Sequence, residues 1–460
     1  MKKQDRIIII GDGSMAYMPG IKVLVSIESS KNLFADPERL PQKITKNNKE
    51  YPGPVHWGED NALPLQLIEK VYKNPVTTAG LLFNVQLGYG DGVQAGRFDI
   101  QNGKRVFTPV DDDMEVNEFF ENNDISAYLL EQLTDITFFY NVFPEIILNK
   151  AGKVASLKSK EAAFSRWGEM DIKTGLIEYH YYSAKWAKSQ SPDDIDITPV
   201  LNANNPLRHL RILLGQEADD DGKKENLMEK TGQYRYIIPL SFPTPGRSYY
   251  QKPYYSSIFD SGWFDYSCKI PEFKNALLDN QQTIKYHVQL AADYFSEIFK
   301  AEAIVDPEKK GARIKKEYED INKFLTGLKN TGKSIISYVK QTPDGKEMPR
   351  MKITAIDNNF KGGEYLDDSE EASNIMSYAM GVHPSLIGSS PGKAKTINGT
   401  EARELFIIKQ SLMKPIRDRI LRPLYIIKAI NGWDPTLKFV IPNIELTTLD
   451  KNTGSTKVIS

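Results

Sequence analysis

A helical stretch at 124–140, a run of short strands and turns at 142–250, and a second helical stretch at 254–280 follow one another in this chain. In the first stretch Asp124 stands as an N-cap. Ile125, Tyr128, Leu129, Leu133, Ile136, Phe139 and Tyr140 then keep a helical period. In the insert, 143–148, 164–167, 176–182 and 234–240 read as strands between turn-rich segments. The class expected is therefore α+β. At 460 residues the chain exceeds the roughly 250–300 residues at which single cores stop growing, so several domains are expected.

The remaining chain fits this pattern. Short β-prone runs at 6–10 and 21–28 are followed by helices at 65–72 and 114–122, with an apolar segment at 76–93. Pro271 is expected to kink or split the 254–280 stretch. A strand is expected at 283–289. Asp306-Pro307-Glu308 marks a helix start, with Asp as cap, Pro in the first turn and Glu on the dipole. Strands at 334–340 and 351–356 come next. Asp368-Ser369-Glu370-Glu371 has capping-box spacing before a stripe of Ala372, Ile375, Met376, Ala379 and Met380, stopped by Gly381. A Gly/Pro loop then leads into a long helix from Thr400. Pro415 and Pro423 must bend or break that helix.

Several function classes fall away. Lys+Arg is 59 and Asp+Glu 60, a net charge of -1, which is not the balance of a strongly basic nucleic-acid binder. A single cysteine, Cys268, excludes an intrachain disulfide framework and a Cys-based zinc site. The basic start, Met1 to Arg6, is followed by only four apolar residues, too few for a signal-peptide core, and no window has the ~18 apolar residues of a spanning helix. The reading is a soluble protein of a reducing cytoplasm, with no membrane partner and no glycan on Asn398. The five histidines are scattered, and none pair at helical ligand spacing. The carboxylate clusters sit in turns or helix starts. No catalytic residue, metal site or cofactor is expected, and the chain reads as a non-enzyme.

Two motifs imitate nucleotide sites. Gly327 to Ser334 matches G-x-x-x-x-G-K-[ST], the basis of an alternative reading as a phosphate-loop nucleotide binder. Such a loop needs a strand before it and a helix N-terminus after it, whereas here a helix precedes and a strand is expected to follow. Gly11-Asp12-Gly13-Ser14-Met15-Ala16 imitates a dinucleotide fingerprint, but the few residues before the next strand cannot hold a crossover helix. A β-hairpin is expected there.

The order of these pieces resembles the portal protein of tailed bacteriophages, the HK97-like and SPP1-like portal superfamily. The helix Ser373-Asn374-Ile375-Met376-Ser377-Tyr378-Ala379-Met380 runs into Gly381-Val382-His383-Pro384-Ser385-Leu386-Ile387-Gly388, similar to the family's "gVPp-llG". Asn398-Gly399-Thr400-Glu401 and Ser411-Leu412-Met413-Lys414-Pro415 follow, the latter similar to the family's "tl-P". Residues 133–157 resemble its helix, "G-N-a-Y" strand and "G-v-x-x-L" turn, although Tyr140-Asn141-Val142-Phe143 lacks the Gly. Residues 248–280 resemble its "G-x-s-p-l" helix, with Lys252-Pro253-Tyr254-Tyr255 in its place. The likeness spans about residues 60–430, and the order of loose motifs carries it.

The resemblance implies a portal-type fold assembling as a homododecameric ring at a capsid vertex. It implies an α/β wing from 1–123 and 284–388, stem helices at 124–141 and 254–281, a β-rich clip at 142–253, a tunnel loop at 389–399, and a crown with C-terminal tail at 400–460. It also implies a channel for double-stranded DNA, bound without sequence preference, during genome packaging and exit. The implied partners are the terminase large subunit, a head–tail adaptor and the major capsid protein. The implied place is the virion, after assembly in the host cytoplasm. Lys393, Lys395, Thr396 and Asn398 would be the tunnel-loop residues at the DNA. From Ser389 to Asn398 the loop carries two cations and no carboxylate. Repeated around a ring, Lys393 and Lys395 would make a belt facing phosphates, contacts that carry no sequence information and exchange readily. A near-neutral protein with a small cationic belt suits DNA that must pass without sticking.

Overall fold

The computed structural model describes residues 8–10, 15–18, 23–26, 43–110, 113–186, 191–247, 249–281, 286–326, 339–341, 347–355, 365–387 and 399–444. Helices mix with small antiparallel sheets, and no sheet closes into a barrel among the described residues. This is the α+β class expected. The chain divides into two compact units, Met1–Cys268 with Asp368–Ser460, and Lys269–Asp367.

The main core of the first unit is built on the helix Ile125–Phe139. Asp124 caps it as expected, its carboxylate accepting from the Ala127 N–H at 3.1 Å. Ile125, Tyr128, Leu129, Leu133 and Ile136 are buried. Tyr140, at φ +56°, ends the helix in the left-handed region, and the strand Asn141–Leu148 starts at the next residue. That strand pairs antiparallel with Val154–Lys160, Arg235–Ile237 and Leu240–Ser241. Its Val142, Ile146 and Leu148 share one cluster with the 125–139 helix and with Leu424, Ile426 and Ile427 of the helix Arg422–Asn431. The β-rich segment 142–253 is thus part of a core it shares with helices on both sides in sequence. The stretch that forms a compact unit of its own is Lys269–Asp367.

A second cluster joins Trp57, Leu63, Leu67 and Leu81 to Phe143, Trp167 and Tyr250, and to Met376, Met380 and Val382. Trp57 and Tyr250 stack with ring centroids 4.3 Å apart. Another sheet pairs Ser165–Trp167 with Tyr179–Tyr182, within the strands expected at 164–167 and 176–182, and adds Asp196–Pro199. Asp196–Pro199 lies in the turn-rich segment between the strands expected at 176–182 and 234–240. It is a strand because its charge is spent internally: Arg235 bridges Asp196 at 2.5 Å and the buried Glu145 at 2.7 Å, with Lys160 3.5 Å from Asp196.

Other differences have local causes. The break in 254–281 falls at Ser261 and Gly262, the latter at φ +81°, and the helix Trp263–Gln281 runs on through Pro271. The helix expected to be capped at Asp368 begins at Leu366, so its acidic residues lie in the first turns, where the dipole favours them. The helices Pro206–Leu213 and Leu227–Thr231 were not expected. Asn205 and Asn226 cap them.

In the second unit the strand Tyr286–Leu290, expected to begin at 283, pairs antiparallel with Met351–Ala355. Asp306 accepts from the Glu308 N–H at 3.0 Å at the start of the helix Pro307–Thr326, as its sequence implies. At the N-terminus Ile8–Ile10 pairs antiparallel with Met15–Met18, and Val23–Ser26 adds a third strand. A hairpin thus stands where the dinucleotide fold was excluded, but its second strand is Met15–Met18, inside the stretch expected to be the turn, and the run expected at 21–28 pairs with that strand.

Candidate nucleic-acid-facing loop and its anchors

The tunnel-loop residues Lys393, Lys395, Thr396 and Asn398 lie outside the described residues, as do Gly327 to Ser334 of the phosphate-loop pattern. The structure does describe the segments on either side of the loop. Upstream, the helix Leu366–Ala379 buries Ala372, Ser373, Met376 and Ser377. Both serines satisfy their hydroxyls within the helix, on Ser369 O and Ser373 O at 2.8 Å.

Gly381 stops the helix, as expected. It lies at φ +64°; Val382 N–H donates to Ser377 O at 2.9 Å and Gly381 N–H to Tyr378 O at 2.9 Å. This is the Schellman pair of bonds, with Val382 buried behind it. A short 3-10 turn, Pro384–Leu386, carries the chain to the last residue described before the loop, Ile387. This end is tied to the helix Pro75–Tyr89. Asn84 Nδ2 donates to Met380 O at 3.1 Å, and Met380 fills the place where Gly80 lacks a side chain.

Downstream, the expected long helix is three: Gly399–Leu412, Lys414–Ile420 and Arg422–Asn431. The breaks at Met413 and Leu421 each stand two residues before a proline, as Pro415 and Pro423 require. Gln410 exchanges two hydrogen bonds with the backbone of Ile444, at 3.0 and 3.1 Å. Met413 reaches the 75–89 helix at Gly88, where an added Cβ would sit 3.2 Å from its Cε and 2.6 Å from Leu133 Cδ2.

Arg417 completes this anchor. It is buried and donates to Gly88 O at 3.0 Å, Leu87 O at 2.7 Å, Ile441 O at 3.4 Å and Asn443 Oδ1 at 2.5 Å. Its guanidinium therefore satisfies carbonyls at the C-terminal end of the 75–89 helix that have no intrahelical partner. Burial pushes its pKa below the usual arginine value. Gly90, at φ +52°, makes room, since a Cβ there would lie 2.5 Å from Pro442 O and 3.0 Å from Arg417 Nη2. Met380, before the loop, and Met413, after the helix that follows it, thus seat on one helix at Gly80 and Gly88, about 12 Å apart at 1.5 Å per residue.

Nothing in the sequence singled out Gly80, Gly88 or Arg417. Gly80 is filled by Met380 and Gly88 by Met413 and Leu133, and Arg417 reaches back 329 and 330 positions to the carbonyls of Gly88 and Leu87. Among the described residues no group of three or more His, Cys, Asp or Glu could hold a metal ion. The buried His180 is packed between Phe143 and Trp167 and held neutral, its pKa pushed down to about 3 chiefly by burial. No helix among the described residues is long and apolar enough to cross a membrane.

The fold is similar to that of chains in three solved structures. In the virion of a native gene transfer agent (GTA) particle the match has a TM-score of 0.53 at 14% identity, covering 84% of each chain. In the neck of the native GTA particle computed with C12 symmetry the TM-score is again 0.53 at 14% identity, covering 84% of each chain. In the neck of the empty GTA particle computed with C6 symmetry it is 0.53 at 15% identity, covering 84% of this chain and 85% of that one. No family model and no curated protein matches this chain.

Proposed function

We propose that this protein is a portal: a ring of identical subunits, a dodecamer, at the vertex of a phage-type capsid. It is a channel for double-stranded DNA and a head–tail attachment point, and it is not an enzyme. The observation that carries the reading is the fold likeness, over 84% of the chain, to chains of particle necks computed with C12 and C6 symmetry. The terminase pumps DNA through the ring, the adaptor follows it, and the major capsid protein surrounds it, in the virion and, during assembly, in the host cytoplasm.

The loop carrying Lys393, Lys395, Thr396 and Asn398 is the DNA-facing element of this reading. Its two lysines and lack of carboxylates suit passing phosphates. The role expected of a clip, meeting terminase and adaptor, goes to Lys269–Asp367 in preference to 142–253. A docking module is better served by a unit with its own contacts than by strands built into the main core. Native mass spectrometry tests the reading. The expected species is a closed multiple of the protomer mass, and a protomer-only spectrum at all concentrations overturns it.

A further inference from the structure

Two helices of the unit formed by Met1–Cys268 and Asp368–Ser460 carry apolar side chains on the face turned away from the core. On Gly399–Leu412 the buried Gln410 marks the inner side, with the half-buried Phe406 beside it. Glu401, Glu404, Ile408 and Leu412 fall on one outer line at i, i+3, i+7 and i+11, with Ile407 beside it. Ile407, Ile408 and Leu412 are 52%, 58% and 64% exposed. Lys409 turns inward toward Gly381, so no cation interrupts the line.

The helix Pro75–Tyr89 contains no charged residue at all. Pro75, Ala79, Leu82 and Gln86 form its exposed line at i, i+4, i+7 and i+11. Tyr72 and Lys73, both exposed, stand at its N-terminal end. A helix that faces water in a free-standing protein presents polar side chains there, as Pro307–Thr326 does with Lys309, Lys316, Glu319 and Lys323. Helices apolar on all sides belong to buried positions.

We infer that these two faces are the two halves of one contact between copies of this chain. The Ile407–Ile408–Leu412 face of one protomer packs on the Tyr72–Ala79–Leu82 face of the next. The inference rests on the ring reading above and deepens it. A two-fold dimer uses one patch twice, whereas a closed ring needs two different patches that fit each other. The charges agree: Glu401 and Glu404 lie at the N-terminal end of one face and Lys73 at the N-terminal end of the other, so helices running parallel set acids opposite the cation. The contact joins the helix that follows the loop in one copy to the helix on which Met380 and Met413 seat in the next.

The test uses two variants of the full chain. Ile408→Glu with Leu412→Glu spoils the first face, and Ala79→Glu with Leu82→Glu spoils the second. Each, with an unchanged circular dichroism spectrum, is expected to sediment as a monomer. Mixed in equal amounts they should give a one-to-one dimer and nothing larger, because each keeps the face the other needs. A ring that persists in either variant, or a mixture that stays monomeric, overturns the assignment of these faces while leaving the ring intact as a reading. A monomeric wild-type protein instead removes the ring itself.

Discussion

Arg417 donates from Nε to the carbonyl oxygen of Gly88 at 3.0 Å, across 329 positions of sequence. One guanidinium closes the end of the 75–89 helix and fixes the chain downstream of the loop. Replacing it with Met strands the carbonyls of Leu87 and Gly88, each of which costs about 1–3 kcal/mol when buried without a partner. Arg417→Met should lower the thermal midpoint strongly, and Arg417→Lys, able to serve fewer acceptors, by an intermediate amount. An unchanged midpoint in Arg417→Met would show that water replaces the guanidinium.

Gly80 and Met380 form a second such relationship. A Cβ at position 80 collides with the end of the Met380 side chain, which is flexible but buried. Gly80→Ala should destabilise the fold even though alanine favours helix. Met380→Ala should leave a cavity. The double variant should be less destabilised than the sum, with a coupling of about 0.5–3 kcal/mol. Strict additivity in denaturant melts would mean the two side chains do not compete for one space.

Asp135 gives a pH dependence. It lies on the 125–139 helix and accepts from the Ala162 N–H at 2.9 Å. Burial pushes its pKa up to about 7, opposed by that hydrogen bond and reinforced by Glu161 and Glu131. Its folded value stands above its unfolded one. Its contribution is therefore full below about pH 4 and is lost as the pH rises through about 7. Asp135→Asn, which keeps an acceptor and carries no charge, should be more stable than the parent at pH 8, on the order of a few kcal/mol. It should match the parent at pH 4. The difference is read from melts across that range, and a constant offset would remove the argument.

The loop prediction is functional. Lys393→Glu with Lys395→Glu reverses the charge of the proposed belt without touching either anchor. Ring assembly should be unchanged, while packaged DNA per particle falls severalfold, measured by nuclease protection. Packaging equal to the parent would exclude these lysines from the DNA path.

What could be read from the residues alone was local. Asp124 and Asp306 cap the helices they precede, Gly381 ends its helix in a left-handed turn, and Pro415 and Pro423 divide the last helical run. Each depends on neighbours within a few positions. What could not be read was set by distant contacts. Asp196 looks like loop until Arg235 and Lys160 reach it. Gly80 and Gly88 look like weak helix positions until Met380, Leu133 and Met413 fill them. The run of strands at 142–253 looks like a module because its helical partners, 125–139 and 422–431, lie outside it in sequence.

Electron microscopy of the purified full-length protein tests the central claim most directly. The account predicts closed rings with a central hole, twelve-fold in averaged top views. A field of isolated globular particles of protomer size, unchanged on concentration, would contradict it.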